Sequence, residues 1–200
     1  MIDTIIFDIG GVLVDDSGRR ININEHYGLP WNDKEDKTWQ DYKTGKCTEQ
    51  EYWQRVLKGT YMQGRETEVA LYARHVHASQ GPGKANFLLP KLKPKYNLAI
   101  LSNHSTEWTD GLIKNFELRK YCSPIIISSE VGLAKPDRAI YELTLKKVNR
   151  SETPEQCIFI DDKIENINAA EQVGIVGLQL TKEDTQESLT EKLRNLGLEV

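Results

Sequence analysis

No apolar run in this sequence approaches the roughly 20 residues that a membrane-spanning helix needs, so no membrane partner is expected. The first residues also lack the basic flank and apolar core of a secretory signal, because Asp3 and Asp8 interrupt the short apolar stretch there. Cysteine is scarce: Cys47, Cys122 and Cys157 are scattered, odd in number and without ligand spacing. That argues against a disulfide framework or a thiolate metal site and predicts reduced, buried thiols in a cytoplasmic protein. Basic charge is outnumbered, with 26 Lys and Arg against 30 Asp and Glu and a net charge of -4. The sequence pI is near 5.7 and no basic stripe is visible, so nucleic acid is not expected as a main partner. Repeats and low-complexity segments are absent as well.

What remains is an ordinary globular composition, 38% hydrophobic and 28% charged, which is enough for a real core. Two hundred residues suit one domain with an insertion, or a large domain and a small one. Five short apolar runs read as strands: "TIIFDIG" from Thr4, Tyr96–Asn103, Ser123–Glu130, Gln156–Asp162 and Ile175–Leu180. Their near-continuous apolar character fits strands buried on both faces of a parallel sheet. Helical patterns separate them over Thr106–Phe116, Asp137–Val148, Ile164–Gln172 and Asp184–Leu196. This alternation predicts a doubly wound α/β fold.

The interval after the first strand is too long for one crossover and reads as helix. Lys34–Lys43 is one candidate, Thr48 and Glu51 form a capping box before "EQEYWQRVL", and Glu66–Ala78 places Val69, Tyr72, Ala73 and Val76 on one face. Ser79–Gly83 breaks the chain, and a short helix over Lys84–Leu89, stopped by Pro90, returns it to the sheet. Residues 16–84 are therefore expected to form a small helical cap inserted after strand one, with 1–15 and 85–200 as the core.

Ligands of an open parallel sheet lie beyond the carboxyl ends of its strands. That rule gathers Asp8, Ser102 with Asn103, Lys135, and Asp161 with Asp162 into one crevice. Carboxylates at this density repel one another unless a cation neutralises them, and hard oxygen ligands suit magnesium. A lysine and a hydroxyl beside the metal suit a phosphate oxygen. Blander uses stand beside these. Asp8 suits a turn, Ser102–Asn103 a cap for the helix near Thr106, Lys135 a solvated loop, and Asp162 the N-cap of the next helix. His104 is open between substrate contact and surface loop. Asp15 and Asp16 read as solvated linker residues, and Trp39, Tyr42, Tyr52 and Trp53 as packing between cap and core.

Four motifs in order, "FDIGG", "LSN", "GLAKP" and "FIDD", resemble the haloacid dehalogenase-like (HAD) hydrolase superfamily, subfamily I with a helical cap. The resemblance covers the whole chain. "FDIGGVLVD", "LSNHS" and "FIDDKIENINAA" look most like the small sugar-phosphatase branch, glucose-1-phosphatase-like proteins included, and are similar to the phosphatase domain of mammalian epoxide hydrolases.

The resemblance implies a HAD-like Rossmannoid core and a magnesium-dependent phosphatase of a small phosphorylated metabolite, a sugar phosphate above all. Asp8 would attack phosphorus and form an aspartyl-phosphate. Magnesium would be held by Asp8, the Gly10 carbonyl and the last acidic pair, with Asp162 as direct ligand and Asp161 as second ligand or partner of Lys135. Ser102 and the backbone around Asn103 would hold phosphate oxygens, and Lys135 would neutralise the nucleophile and the transferring group. A dehalogenase or phosphomutase is less expected.

One position departs from the family. Most HAD phosphatases carry an Asp two residues after the nucleophile, as acid for the leaving group; here it is Gly10. Three outcomes stay open: favourable leaving groups such as anomeric phosphates, an acid borrowed from Asp15, His104 or water, or a degenerate protein now used for binding or regulation.

Overall fold

A computed structural model describes residues 1–15, 23, 25–29 and 37–200. The expectations for Asp16 and for the Lys34–Asp36 start of the first cap helix lie outside these residues. Five strands, β1 (Thr4–Phe7), β2 (Asn97–Ser102), β3 (Ile125–Ile127), β4 (Cys157–Asp161) and β5 (Val176–Gln179), form one sheet in the order β3-β2-β1-β4-β5. Every pairing is parallel, and Phe7 lies opposite both Ile100 and Ile160. The carboxyl ends of β1, β2 and β4 are therefore level, and the order reverses between β1 and β4, the kind of switch point that opens a crevice.

Both faces of the sheet are covered, which is why its strands are apolar at nearly every position. Ile5, Phe7, Leu98, Ile100, Ile158 and Ile160 belong to one buried cluster, whereas Ile6, Ala99, Leu101, Ile126 and Phe159 belong to another. The alternation along each strand is the two-residue period of the pleat. The helices of the core are α4 (Leu89–Leu92), α5 (Thr106–Asn115), α6 (Leu118–Tyr121), α7 (Ser128–Val131), α8 (Arg138–Lys147), α9 (Ile164–Glu171) and α10 (Gln186–Asn195).

Two expected boundaries move. Pro90 does not stop a helix; it occupies the first turn of α4, where the ring sets a helical φ and the missing N–H has no partner to lose. The third strand ends at Ile127, because Ser128 and Ser129 turn their hydroxyls to backbone groups and open the short helix α7.

Between β1 and α4 lie α1 (Lys37–Lys43), α2 (Glu49–Leu57) and α3 (Glu66–Ala78). The capping box at α2 is formed: Thr48 Oγ1 accepts from the Glu51 N–H at 3.2 Å, and Glu51 Oε2 accepts from the Thr48 N–H at 2.8 Å. Tyr42, Tyr52, Trp53, Leu57, Val69, Ala73 and Val76 pack into a third apolar cluster, to which the core contributes Trp108 from α5. The buried Glu49 carboxylate accepts from Trp108 Nε1 at 2.7 Å and pairs with Arg74, so the same contact satisfies an indole N–H and a buried charge. The two chain crossings are tied together, with Asp15 N–H donating to Gly81 O and Gly83 N–H to Leu13 O. Among the described residues, no helix is long and apolar enough to cross a membrane. The three cysteines are free and buried, and burial pushes the Cys122 and Cys157 thiols up to about 12, far from the thiolate that reacts.

Candidate active site

Ile5, Ile6 and Phe7 have no exposed surface, so β1 drives straight through the core and releases Asp8 at its end. The Asp8 N–H donates to Ile160 O at 2.9 Å, which carries the β1–β4 ladder one residue further and fixes the backbone there. Its Oδ1 accepts from the Ile9 N–H at 2.7 Å and lies 3.1 Å from Lys135 Nζ. In the following turn Gly11 takes the left-handed region at φ 73°, and a Cβ there would stand 3.1 Å from Asp162 Cγ. The turn thus folds down onto the Asp162 carboxylate, a close approach that glycine alone allows without strain.

Lys135 has no exposed side-chain surface. Its Nζ reaches Asp161 Oδ2 at 2.6 Å and sits 5.0 Å from the centre of the Phe159 ring. The loop that carries it is held by Asn103, whose Nδ2 donates to Lys135 O at 2.6 Å and whose Oδ1 accepts from Lys135 N–H at 2.8 Å. Asp161, fully buried, also accepts from the Lys163 N–H at 2.9 Å and from Asn166 Nδ2 at 2.9 Å. Ser102, 2% exposed, lies against Asp8 and favours its charged form.

These contacts polarise the cluster. Burial pushes the Asp8 carboxyl above the ordinary carboxylate range; the Lys135 charge opposes this and the Asp161 charge adds to it. Burial works against the charge on Asp161 too, but Lys135, the Lys163 N–H and the Asn166 amide hold it below that range. Burial disfavours the Lys135 ammonium, yet Asp161 and Asp8 carry it above the ordinary lysine value. Lys135 is thus a permanent cation wedged between two acids.

Asp8, Asp161 and Asp162 each offer an oxygen, all within 4.8 Å of one another. Three carboxylates face one buried ammonium, and the donor set is all oxygen, which fits a hard divalent cation. The strand ends bring together Asp8, Ser102, Asn103, Lys135, Asp161 and Asp162, and Gly10 lies in the turn that follows Asp8. They do not stand equal. The side chain of Asn103 grips the Lys135 main chain, leaving only backbone near it for a ligand, and Asp161 is engaged by Lys135 and Asn166.

His104 is not on a surface loop. It is 4% exposed and packs against Trp39, His77 and Trp108, with Nδ1 accepting from the Ser105 N–H at 3.0 Å. Asp15 is exposed beside the chain crossing. Sequence reasoning passed over Asn166, although its place one helical turn after Asp162 puts it on the face of α9 that looks back at the strand end.

The comparisons with known proteins agree with this geometry. The haloacid dehalogenase-like hydrolase family matches residues 2–174. A sesquiterpene phosphatase of Aspergillus oryzae is 27% identical, over 88% of each chain. D-ribitol-5-phosphate phosphatase of Bacteroides thetaiotaomicron is 26% identical, over 90% of this chain and 92% of that one. A crystal structure of a HAD family enzyme from Bacteroides thetaiotaomicron, a magnesium complex, superposes with a TM-score of 0.78 at 23% identity, covering 94% of this chain and 98% of that one. With the sheet order, the strand-end acids and a match across most of its length in accord, the chain belongs to the haloacid dehalogenase-like hydrolase family.

Proposed function

We propose that the protein is a magnesium-dependent phosphatase of small phosphorylated metabolites, with sugar phosphates as the substrate class and an aspartyl-phosphate on Asp8 as the intermediate. The observation that carries this reading is the Asp8–Lys135–Asp161 array, a strand-end carboxylate held 3.1 Å from a fully buried ammonium. Ile9 and Lys135 hold Asp8 Oδ1 and so fix the rotation of the carboxylate, which sets the line along which Oδ2 meets phosphorus. Lys135 offsets the negative charge of nucleophile and phosphoryl group as they approach. The Ser102 hydroxyl and the backbone around Asn103 supply donors for the phosphate oxygens. Residues 16–84 act as the cap, 1–15 and 85–200 as the catalytic core, and the cap limits substrates to compact metabolites.

Asp8, the Gly10 carbonyl and Asp162 would hold the magnesium, which when bound supplies charge neutralisation at the phosphate. Asp161 would serve mainly as the partner of Lys135. Asp162→Ala is therefore expected to weaken magnesium binding more than Asp161→Ala does, whereas Asp161→Ala should cost more stability, about 3–5 kcal/mol, because it strands a buried lysine. Calorimetric titration with magnesium and thermal melts of both variants check this. Reversed affinities would move the ligand role to Asp161.

Gly10 favours a second reading, a catalytically degenerate binding or regulatory protein. Phosphate release over a metabolite panel separates the two. Turnover in magnesium that EDTA abolishes supports the phosphatase, and binding without release supports the second reading.

A further inference from the structure

The family's leaving-group acid is replaced here by Gly10, and the structure points to a substitute that the sequence did not suggest. In-line attack by Asp8 from the core places the departing oxygen on the opposite side of phosphorus, facing the cap. Lys43, the last residue of α1, lies in the segment that follows β1 and is fixed there by its backbone. Its carbonyl, one of the orphan acceptors at a helix C-terminus, accepts from Ser128 Oγ at 2.5 Å. The same Ser128 oxygen accepts from the His104 N–H at 2.9 Å, so the end of α1 is strutted to the loops that leave β2 and β3.

Two residues on, Gly45 has φ 69° and lies so close to the Ser129 carbonyl that a side chain there would collide with it. The turn after Lys43 is therefore packed directly on the backbone of α7. The Lys43 side chain is half-buried and lies within electrostatic range of Lys163, Asp137 and Lys135. Among the described residues, none takes a hydrogen bond or forms an ion pair with its ammonium. A half-buried cation beside two others, with no bonded acceptor, is suited to an acceptor that arrives with the substrate.

We propose that Lys43 is the leaving-group acid of this enzyme, an inference that rests on the phosphatase reading above. As the bond from Asp8 to phosphorus forms and the bond from phosphorus to the leaving oxygen breaks, the Lys43 ammonium gives that oxygen a proton. The alcohol departs and Lys43 is left as a neutral amine. The amine takes a proton from the water that then attacks the aspartyl-phosphate, which restores the Asp8 carboxylate, releases inorganic phosphate and returns Lys43 to its ammonium. Burial, and then the charges of Lys163 and Lys135, lower the Lys43 pKa against the opposing pull of Asp137, which brings it nearer the range in which a lysine can exchange protons.

The test compares kcat/KM for Lys43→Met and wild type on two esters, with saturating magnesium. Hexose 6-phosphate has an alkoxide leaving group that needs a proton; 4-nitrophenyl phosphate has one that does not. Lys43→Met is expected to lose about 100-fold or more on the hexose 6-phosphate and less than about 3-fold on the aryl ester. Lys43→Arg, which keeps the charge but does not release a proton, should show the same split and covers the case in which the methionine variant folds poorly. Equal losses on both esters with native circular dichroism, or no loss on either, would overturn the assignment. Wild-type protein that cleaves the aryl ester and leaves the hexose 6-phosphate untouched would overturn it while sparing the phosphatase reading. Wild-type protein inert toward both would overturn that reading and the inference with it.

Discussion

Asp8→Asn should abolish turnover and leave the fold intact. An amide oxygen cannot form the acyl-phosphate, so the expected fall in phosphate release is roughly 10⁵-fold or more, about 7 kcal/mol of transition-state stabilisation. Nothing in the packing resists the change, since the two side chains have nearly the same shape and the backbone bond from Asp8 N–H to Ile160 O is untouched. The electrostatics add a second, less obvious result. Burial raises the Asp8 pKa in the folded protein, so its charged form opposes folding at neutral pH. The neutral amide removes that opposition, and in EDTA the variant should melt no lower than wild type. Phosphate release and a thermal melt on one preparation check both halves. Substantial hydrolysis by a natively folded variant would remove Asp8 from the role of nucleophile.

Lys135→Met should lose both activity and stability. Methionine fills the space over the Phe159 ring but leaves Asp8 and Asp161 as buried carboxylates without their ammonium, at a cost of roughly 3–5 kcal/mol. The pH dependence distinguishes this from simple mispacking. In wild type the Lys135 pKa is raised, so its contribution is complete at neutral pH and is lost only as pH rises above 10.5 toward the folded value. The Asp161 pKa is depressed, so its contribution is also complete at neutral pH and is lost as pH falls below 3.8.

Without Lys135 the sign reverses for Asp161, and Asp8, already raised by burial, loses the charge that opposed the rise. Burial then dominates, both folded pKa values stand above the unfolded ones, and stability should increase as the pH is lowered from neutral toward about 5. Denaturant melts in EDTA at several pH values read this slope. A wild-type slope would mean that Lys135 is not the counter-ion of the pair.

Much of this was legible in the residue order. Each strand is apolar at nearly every position because both faces of a parallel sheet are covered, and such a run can be read without knowing its neighbours. Where each run stops, a polar residue must face the crevice at the carboxyl edge, so Asp8, Ser102, Asn103, Lys135, Asp161 and Asp162 could be gathered from local signals alone. The capping box at Thr48 and Glu51 was equally visible, because its partners are three residues apart. The effects of Pro90 and Ser128 are not legible in the same way. Both are local breakers whose effect depends on what the backbone around them is bonded to.

The division of labour inside the site is of another kind. Asp161 and Asp162 are adjacent and chemically identical in sequence. They differ because the β4 pleat and the start of α9 turn one toward Lys135 and Asn166 and the other toward Gly11. What the Asn103 side chain holds has no local signal; the loop after β3 brings the Lys135 backbone against it. His104 reads as either a substrate contact or a surface-loop residue until the helices of the insertion close over it. Lys43 lies 35 positions from Asp8, and no pattern in the chain marks it. Residue type and spacing determined the fold and the strand-end cluster, because these follow from periodicities within a few residues, and the four ordered motifs carried the resemblance to the family. Only the tertiary structure decided which acid pairs with Lys135, what the Asn103 side chain holds and where the end of α1 is anchored, because charge, burial and reach at those points come from segments distant in the chain.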